Sequence, residues 1–461
     1  MSKDTAPATL PPVKRRNAEL VLLGVALAVA VSAFGAAGLA LDGTLPMGMF
    51  GYGLGFVVLA LGTHVAMRFI APYADPLILP LAVFLTGLGL AMVWRLNQGD
   101  GDHAGAGMQL IWAGIGMLLC LAVLFFLKEP RVLQRYPYLL ALAAIVLMML
   151  PILPVLGIER FGARRWIGFG AFTLQPSEFA KIALVLFLSA YLVLKRDVLS
   201  LASHQIKVLG FRVFDVPRLR DMAPMVVAWL VAILLLVVSR DLGTSLLMFG
   251  TFLAMIYVAT QRSSWVIIGL TMFLGGATIA YFLFSHVELR VMIWLNTFDP
   301  EIAQNEAWQL VMGLYALAEG GLLGTGLGAG DADQIFAADS DLILVAFGEE
   351  LGLTGLMVIV LAIFLLVERG LRIALASREL FVKLLASGLS FIFAFQVFVV
   401  LGGVTRLIPL TGMTTPLMSA GGSSIMASWI MIGLLLRLSD NARKPAPQAI
   451  QDEGATQVIS R

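Results

Sequence analysis

The sequence predicts an all-α polytopic membrane protein of about twelve transmembrane helices. Both termini are expected in the cytoplasm, with a large extracytoplasmic loop between spans nine and ten. Three observations carry this. Of the 461 residues, 59% are hydrophobic and only 13% are charged, and the mean hydropathy is +0.93; a soluble chain carries about 25% charge. Apolar runs near the ~20 residues needed to cross the hydrocarbon core recur along the chain. The basic residues are also sorted. With the amino terminus inside, 23 of the 31 Lys and Arg fall on cytoplasmic segments and 7 on outer ones, with Lys181 inside a span. That bias fixes the orientation and favours an even number of spans.

Taken in order, the runs lie at 18–41, 47–70, 76–94, 107–127, 138–157, 174–194, 221–238, 242–260, 265–284, 343–367, 383–404 and 413–437. The first is too long for the apolar core of a cleavable signal and reads as a retained span. Residues 1–17 and 438–461 are polar tails on the cytoplasmic side, composed as disordered segments are. Residues 195–220 form a basic cytoplasmic loop. The outer segment 285–342 is too long for an idle connection. Within it Leu310, Val311, Leu314, Tyr315, Leu317 and Ala318 recur at helical spacing, as a short helix along the interface would require. No fixed-period repeat links the spans, so an inverted-repeat transporter design is not visible.

Some chemistries are disfavoured at once. The single cysteine, Cys120, lies mid-span, and His64, His103, His204 and His286 are scattered, so neither a disulfide framework nor a histidine metal cluster is expected. The net charge of +2 gives no footing for a nucleic-acid partner.

Candidate chemistry gathers on the outer side. Asp341 stands where the long polar loop re-enters an apolar run, with Glu349 and Glu350 close behind; an acid at a membrane edge costs free energy unless it has a partner or a task. Arg164 and Arg165 precede the span that opens Gln175-Pro-Ser177-Glu178-Phe-Ala-Lys181. Pro176 and Ser177 suit a helix start, with Ser available to cap a free N–H. Glu178 and Lys181 share one helix face. They read either as an ion pair that only sets packing or as a charged lining for an outward cavity, with the arginines upstream as phosphate ligands or interfacial anchors. Arg240 and Asp241 sit in a tight outer turn, either solvated or functional. Gly320 to Gly330 has a GxGxxG-like spacing, but no strand precedes it. The dinucleotide reading therefore fails, and a flexible hinge is expected. Gly412 to Ser424 leads into the last span. Its small residues allow close packing, or its broken start exposes N–H groups to an anionic headgroup, with Ser423 as the substrate-facing candidate.

Taken together, these motifs resemble the SEDS (shape, elongation, division and sporulation) family. The resemblance covers about residues 76–437 through Gly162–Ile167, Gln175–Lys181, Asp241–Thr244, Gly320–Gly352 and Pro409–Ser424, in that order. Residues 15–19 and 71–77 look like the longer actinobacterial form of its RodA branch, which carries two additional spans before the usual ten. On this reading 18–70 is the added pair and 71–437 the ten-helix core. There are departures: Ser239-Arg240 replaces the usual Gln-Pro, Gly402-Gly403-Val404 replaces Asn-x-Gly, and Ala420 replaces a common Tyr.

The resemblance implies a peptidoglycan glycosyltransferase that polymerises lipid II into β-1,4 glycan strands by inversion at the outer membrane face, for cell elongation and shape. It implies a class B penicillin-binding protein as the cross-linking partner. The family's essential aspartate falls on Asp341, and its buried Glu and Lys on Glu178 and Lys181. Asp341 is then the catalytic base. Arg164, Arg165, Glu178, Lys181, Arg240 and Ser423 are the substrate-binding candidates. No protein metal ligands are identified, although a divalent cation, Mg²⁺ or Mn²⁺, bridging diphosphate and carboxylate suits oxygen-rich chemistry. The alternatives are an FtsW-type division paralogue with the same chemistry, a lipid II flippase that makes no bond, and a scaffold that activates the transpeptidase.

Overall fold

In a computed structural model, the described residues are 14–45, 48–98, 103–160, 162–169, 172–195, 203–208, 211–217, 226–227, 230, 234 and 240–445. Among them, ten helices are long and apolar enough to cross a membrane. The chain begins with α1 (Arg16–Asp42), α2 (Gly48–Ile70), α3 (Ile78–Asn97) and α4 (His103–Phe126). A short α5 (Arg131–Gln134) leads into α6 (Pro137–Met149), which continues as a 3₁₀ turn to Ile152 and is a shorter apolar helix than the others. The expected span 221–238 lies outside the described residues except for Val226, Val227, Leu230 and Leu234, all helical.

The connection between α6 and α7 (Ser177–Leu194) is a small antiparallel sheet of β1 (Gly157–Arg160), β2 (Ala163–Phe169) and β3 (Phe172–Leu174), in that order. The helix expected from residue 174 therefore starts at Ser177, because 172–174 is taken up by pairing with 167–169. Ser177 makes no cap bond to the helix backbone. The loop expected in the cytoplasm also holds structure that hydropathy did not reveal, an antiparallel hairpin of β4 (Ser203–Val208) and β5 (Phe211–Pro217).

Next come α8 (Leu242–Thr260), α9 (Ser263–Leu283), α10 (Ser285–Leu295), α11 (Pro300–Ala303) and α12 (Trp308–Gly320). The stripe expected near 310–318 is α12, which buries Leu310, Val311, Gly313 and Ala316 and leaves Tyr315 exposed. The last three are α13 (Ile343–Ala376), α14 (Leu380–Val404) and α15 (Gly422–Arg443).

Burial separates centre from rim. The most apolar windows of α3 and α7 are 83% buried and that of α15 is 89%, whereas none of that of α9 is. Helices α3, α7 and α15 are thus the core, and α9 lies at the exposed rim. The pair α1–α2 packs on α3 and α4. Helix α15 runs beyond the expected end at 437 because Ser439 and Asp440 are buried: Asp75 N donates to Ser439 Oγ (2.9 Å) and Tyr73 N to Asp440 Oδ1 (2.8 Å). The polar residues after 437 are therefore helical and anchored up to Arg443, contrary to a tail beginning there. Arg443 and Arg369 also reach Asp75, and Arg16 bonds the Ala74 carbonyl.

Helix α13 is broken at Gly352 (φ 67°, ψ −173°). The break frees backbone groups, and the glycine-rich segment satisfies them. Thr325 N and Gly326 N donate to the Glu349 and Glu350 carbonyls (3.0 and 2.9 Å), while Leu353 N and Thr354 N donate to Gly321 and Leu322 (2.9 and 3.1 Å). A Cβ at Gly352 would sit 2.3 Å from Gly324 N, so only glycine admits this approach. The expected flexible hinge is instead a fastened sleeve around a helix break.

Candidate active site at the outer face

A cavity of about 890 Å³ opens on the face that carries β1–β3 and the 285–342 segment. That volume lies within the range of small-molecule sites.

Strand β2 explains its first cation. Successive strand residues point to opposite faces, so Arg164 and Arg165 cannot act on the same side. Arg164 pairs with Glu159 on the neighbouring strand (3.2 Å), both exposed, and is absent from the cavity wall. Arg165 lines it, and its Nη2 donates to the Arg240 carbonyl (2.6 Å). Arg240, in a left-handed turn (φ 59°), donates Nη1 to the Gly162 carbonyl (2.8 Å). The two arginines therefore staple the sheet to the turn before α8. Asp241 is not a solvated turn residue: it is 2% exposed and caps α8, accepting from Thr244 N (3.3 Å) and from the Ser177 hydroxyl (3.4 Å).

Glu178 lines the cavity from the first turn of α7, with Lys181 behind it. Lys181 Nζ donates to Glu178 Oε2 (2.7 Å) and Gln396 Oε1 (3.0 Å), and Gln396 Nε2 donates to the Thr414 carbonyl (2.8 Å). Lys181 is 1% exposed and reaches the cavity only through Glu178. Ser423 stands on the wall at the start of α15, where its hydroxyl accepts from Gln175 N (2.7 Å). The N-terminus of α15 places the positive end of its dipole at the cavity.

Asp341 is held just before α13. Ser419 Oγ donates to the Ser340 carbonyl (2.6 Å) and Ala420 N to the Asp339 carbonyl (2.8 Å). Gly412 (φ 66°) marks the convergence. A Cβ there would lie 3.3 Å from Asp341 Oδ2, 3.8 Å from Arg165 Nη1 and 3.9 Å from Arg290 Nη2. Burial pushes the Asp341 carboxyl well above the usual carboxylate range, while the charges of Arg165 and Arg290 pull it back. The His286 imidazole is driven the other way, below its usual range, by burial and by the charges of Arg240, Arg290 and Arg165. Arg165 Nε and His286 Nε2 are buried without a hydrogen-bond partner.

Asp341, Arg165, Arg240, Glu178 and Ser423 thus share one cavity, and Arg164 and Lys181 do not reach its wall. Sequence reading missed Arg290 and His286. Their spacing of four on α10 puts them on one helix face, which was the available signal. Glu349 and Glu350 separate from Asp341, since both turn to the glycine-rich sleeve. Glu349 Oε1 accepts from Asp331 N (2.7 Å), Glu350 Oε2 accepts from Gly328 N (2.9 Å), and Glu350 Oε1 lies 2.6 Å from Arg95 Nε. Among the described residues, no three His, Cys, Asp or Glu side chains gather as a metal site.

Comparison with known proteins agrees in extent and order. The FtsW/RodA/SpoVE family, described as a cell cycle protein, matches residues 76–444. Peptidoglycan glycosyltransferase RodA of Mycobacterium tuberculosis (strain ATCC 25618 / H37Rv) is 46% identical over 446 residues, 95% of this chain and 93% of its own length. A chain of a solved peptidoglycan synthase complex, in which polymerization and crosslinking are structurally coordinated, is similar with a TM-score of 0.64 at 25% identity, covering 80% of this chain and 98% of that one. The crystal structure of the Thermus thermophilus rod shape determining protein RodA shares the fold, with a TM-score of 0.55 at 24% identity over 81% of this chain and 98% of that one.

Proposed function

The chain belongs to the FtsW/RodA/SpoVE family and is a multi-pass membrane peptidoglycan glycosyltransferase, and we propose that it polymerises lipid II at the outer face with Asp341 as general base. The observation that carries this reading is the convergence of Asp341, Arg165 and Arg290 around Gly412. Glycosyl transfer from a lipid diphosphate needs a proton acceptor beside the attacking hydroxyl and positive charge where the diphosphate departs.

The 4-hydroxyl oxygen of one GlcNAc attacks the anomeric carbon of MurNAc. Its proton passes to Asp341, and the bond from that carbon to the diphosphate oxygen breaks, the diphosphate leaving with the electron pair. Attack opposite the α-linked leaving group gives a β-1,4 linkage. Arg165, Arg240 and Arg290 offset the diphosphate charge, aided by the N-terminus of α15. Lys181 holds Glu178 at the wall, and Ser423 fixes the chain entering α7 through Gln175. A Mg²⁺ or Mn²⁺ ion would take most of its ligands from diphosphate oxygens and water, with Asp341 among the carboxylates of the cavity wall that could join them.

The reading includes twelve spans with both termini inside, residues 18–70 as a helix pair added to a 71–437 core, and a role in cell elongation and shape. Likeness to a chain from a synthase complex supports a class B penicillin-binding protein as partner. The decisive experiment is polymerisation of lipid II by the purified chain, alone and with that transpeptidase. Strand synthesis by the wild type and its loss in Asp341→Asn are expected; an inactive wild-type protein that still moves lipid II across vesicles would favour the flippase.

A further inference from the structure

The pair α1–α2 precedes the residues matched by the family, yet it touches both supports of the Asp341 segment. Helix α1 meets the glycine-rich sleeve directly. A Cβ at Gly328 (φ 83°) would sit 2.7 Å from the Ala37 carbonyl oxygen and 3.0 Å from Ala40 Cβ. One turn away on α1, Phe34 packs on Trp94 with ring centroids 4.3 Å apart. Trp94 adjoins Arg95, which is 4% exposed and pairs with Glu350 (2.6 Å) and Asp333 (2.8 Å) while bonding the Gly330 carbonyl. This route grips the segment upstream of Asp341.

Helix α2 reaches the second support. A Cβ at Gly55 would lie 3.4 Å from Leu110 Cδ2 on α4. The adjacent Gln109 is 4% exposed. Its side chain donates to the Ser419 carbonyl (2.9 Å) and accepts from Gly421 N (3.2 Å). Ser419 and Ala420 are the residues that bond the carbonyls of Ser340 and Asp339.

We propose that the added helix pair is a positioning device for the base, with Phe34 and Ala37 setting the sleeve and hence the placement of Asp341. The proposal deepens the glycosyltransferase reading and rests on it. A base displaced by about 1 Å can cost up to about 10²-fold in rate while leaving substrate binding intact.

Two variants of the full chain test this. Ala37→Leu adds volume on the turn of α1 whose backbone abuts Gly328, and Phe34→Leu removes the ring contact with Trp94 without adding volume. The second keeps the test open if the first does not insert. Lipid II polymerisation should show kcat reduced by about tenfold or more with KM kept, and hydrogen exchange should quicken at residues 326–341 but not in α8. The conservative Ala37→Gly should retain wild-type kcat. A rise in KM at constant kcat, unchanged exchange at 326–341, or quickened exchange without loss of kcat would each overturn the proposal. The exchange measurement does not depend on which group is the base. An active Asp341→Asn would therefore remove the base assignment and leave the bracing contact to be judged by exchange alone.

Discussion

Asp341 gains its chemistry from what surrounds it. A carboxyl pushed up by burial, against the pull of two guanidinium groups, is a better proton acceptor than one in water. Asp341→Asn keeps size and hydrogen bonding but removes the basic oxygen. General base assistance is worth about 10²- to 10⁴-fold, so the variant should insert as the wild type does while making almost no glycan; near wild-type strand synthesis on a gel would dismiss the assignment. The pH dependence gives an independent check. A base acts deprotonated, so kcat/KM should fall as pH drops through the raised carboxyl pKa. Arg290→Gln removes a charge that holds this pKa down, and the acid limb should move to higher pH. A limb that stays put, or moves lower, means that another group titrates. The position of Asp341 was legible as an acid at a membrane edge. Arg290 was not, because the fold alone brings it from α10 to the segment around Gly412.

At the scale of elements, local pattern and tertiary use diverge. Gly320 to Gly330 looked like a hinge because glycine frees the backbone. The same freedom lets the segment run against the Gly352 break and satisfy groups that a helix would have bonded internally. Periodicity cannot show this, since the partner groups arise only when α13 breaks. The spacing of Glu178 and Lys181, by contrast, put them on one helix face, where an ion pair was one of the two readings. What it could not say is that Lys181 faces Gln396 rather than the cavity. Removing one member of a buried pair typically costs about 3–5 kcal/mol, and here the cost should fall at the lower end because Glu178 borders the cavity. Lys181→Ala should therefore lower the unfolding temperature in detergent. The double variant Glu178→Gln with Lys181→Met, which leaves no unpaired charge, should recover most of that loss. A double variant as unstable as the sum of its singles would mean that the pair is not coupled.

For the whole molecule, hydropathy foresaw the ten long apolar helices seen among the described residues, because lipid demands apolar length whatever the tertiary packing. It missed the sheet β1–β3 and the hairpin β4–β5, which answer to no such constraint. The structure adds an argument about orientation that charge counting lacks. Lys14 lies over the Tyr73 ring at 5.6 Å, and Arg443 reaches Asp75. Residues 14 and 443 therefore share one end of the bundle, which requires an even number of crossings between them. Arg369 joins them through Asp75, and Arg131 pairs with Glu379, so the connections after α4 and α13 sit at that same end. Arg165, Arg240 and Arg290 occupy the cavity end, and the positive-inside rule predicts that the richer basic end is cytoplasmic. Labelling can decide this, because Cys120 is fully buried and silent to a maleimide. In intact cells an impermeant maleimide should modify Gln304→Cys, beside α11, and leave Arg378→Cys, between α13 and α14, untouched until the membrane is permeabilised. The reverse pattern would put the cavity inside the cell. Lipid II polymerisation at the outer face would then be impossible, whatever the chemistry of Asp341.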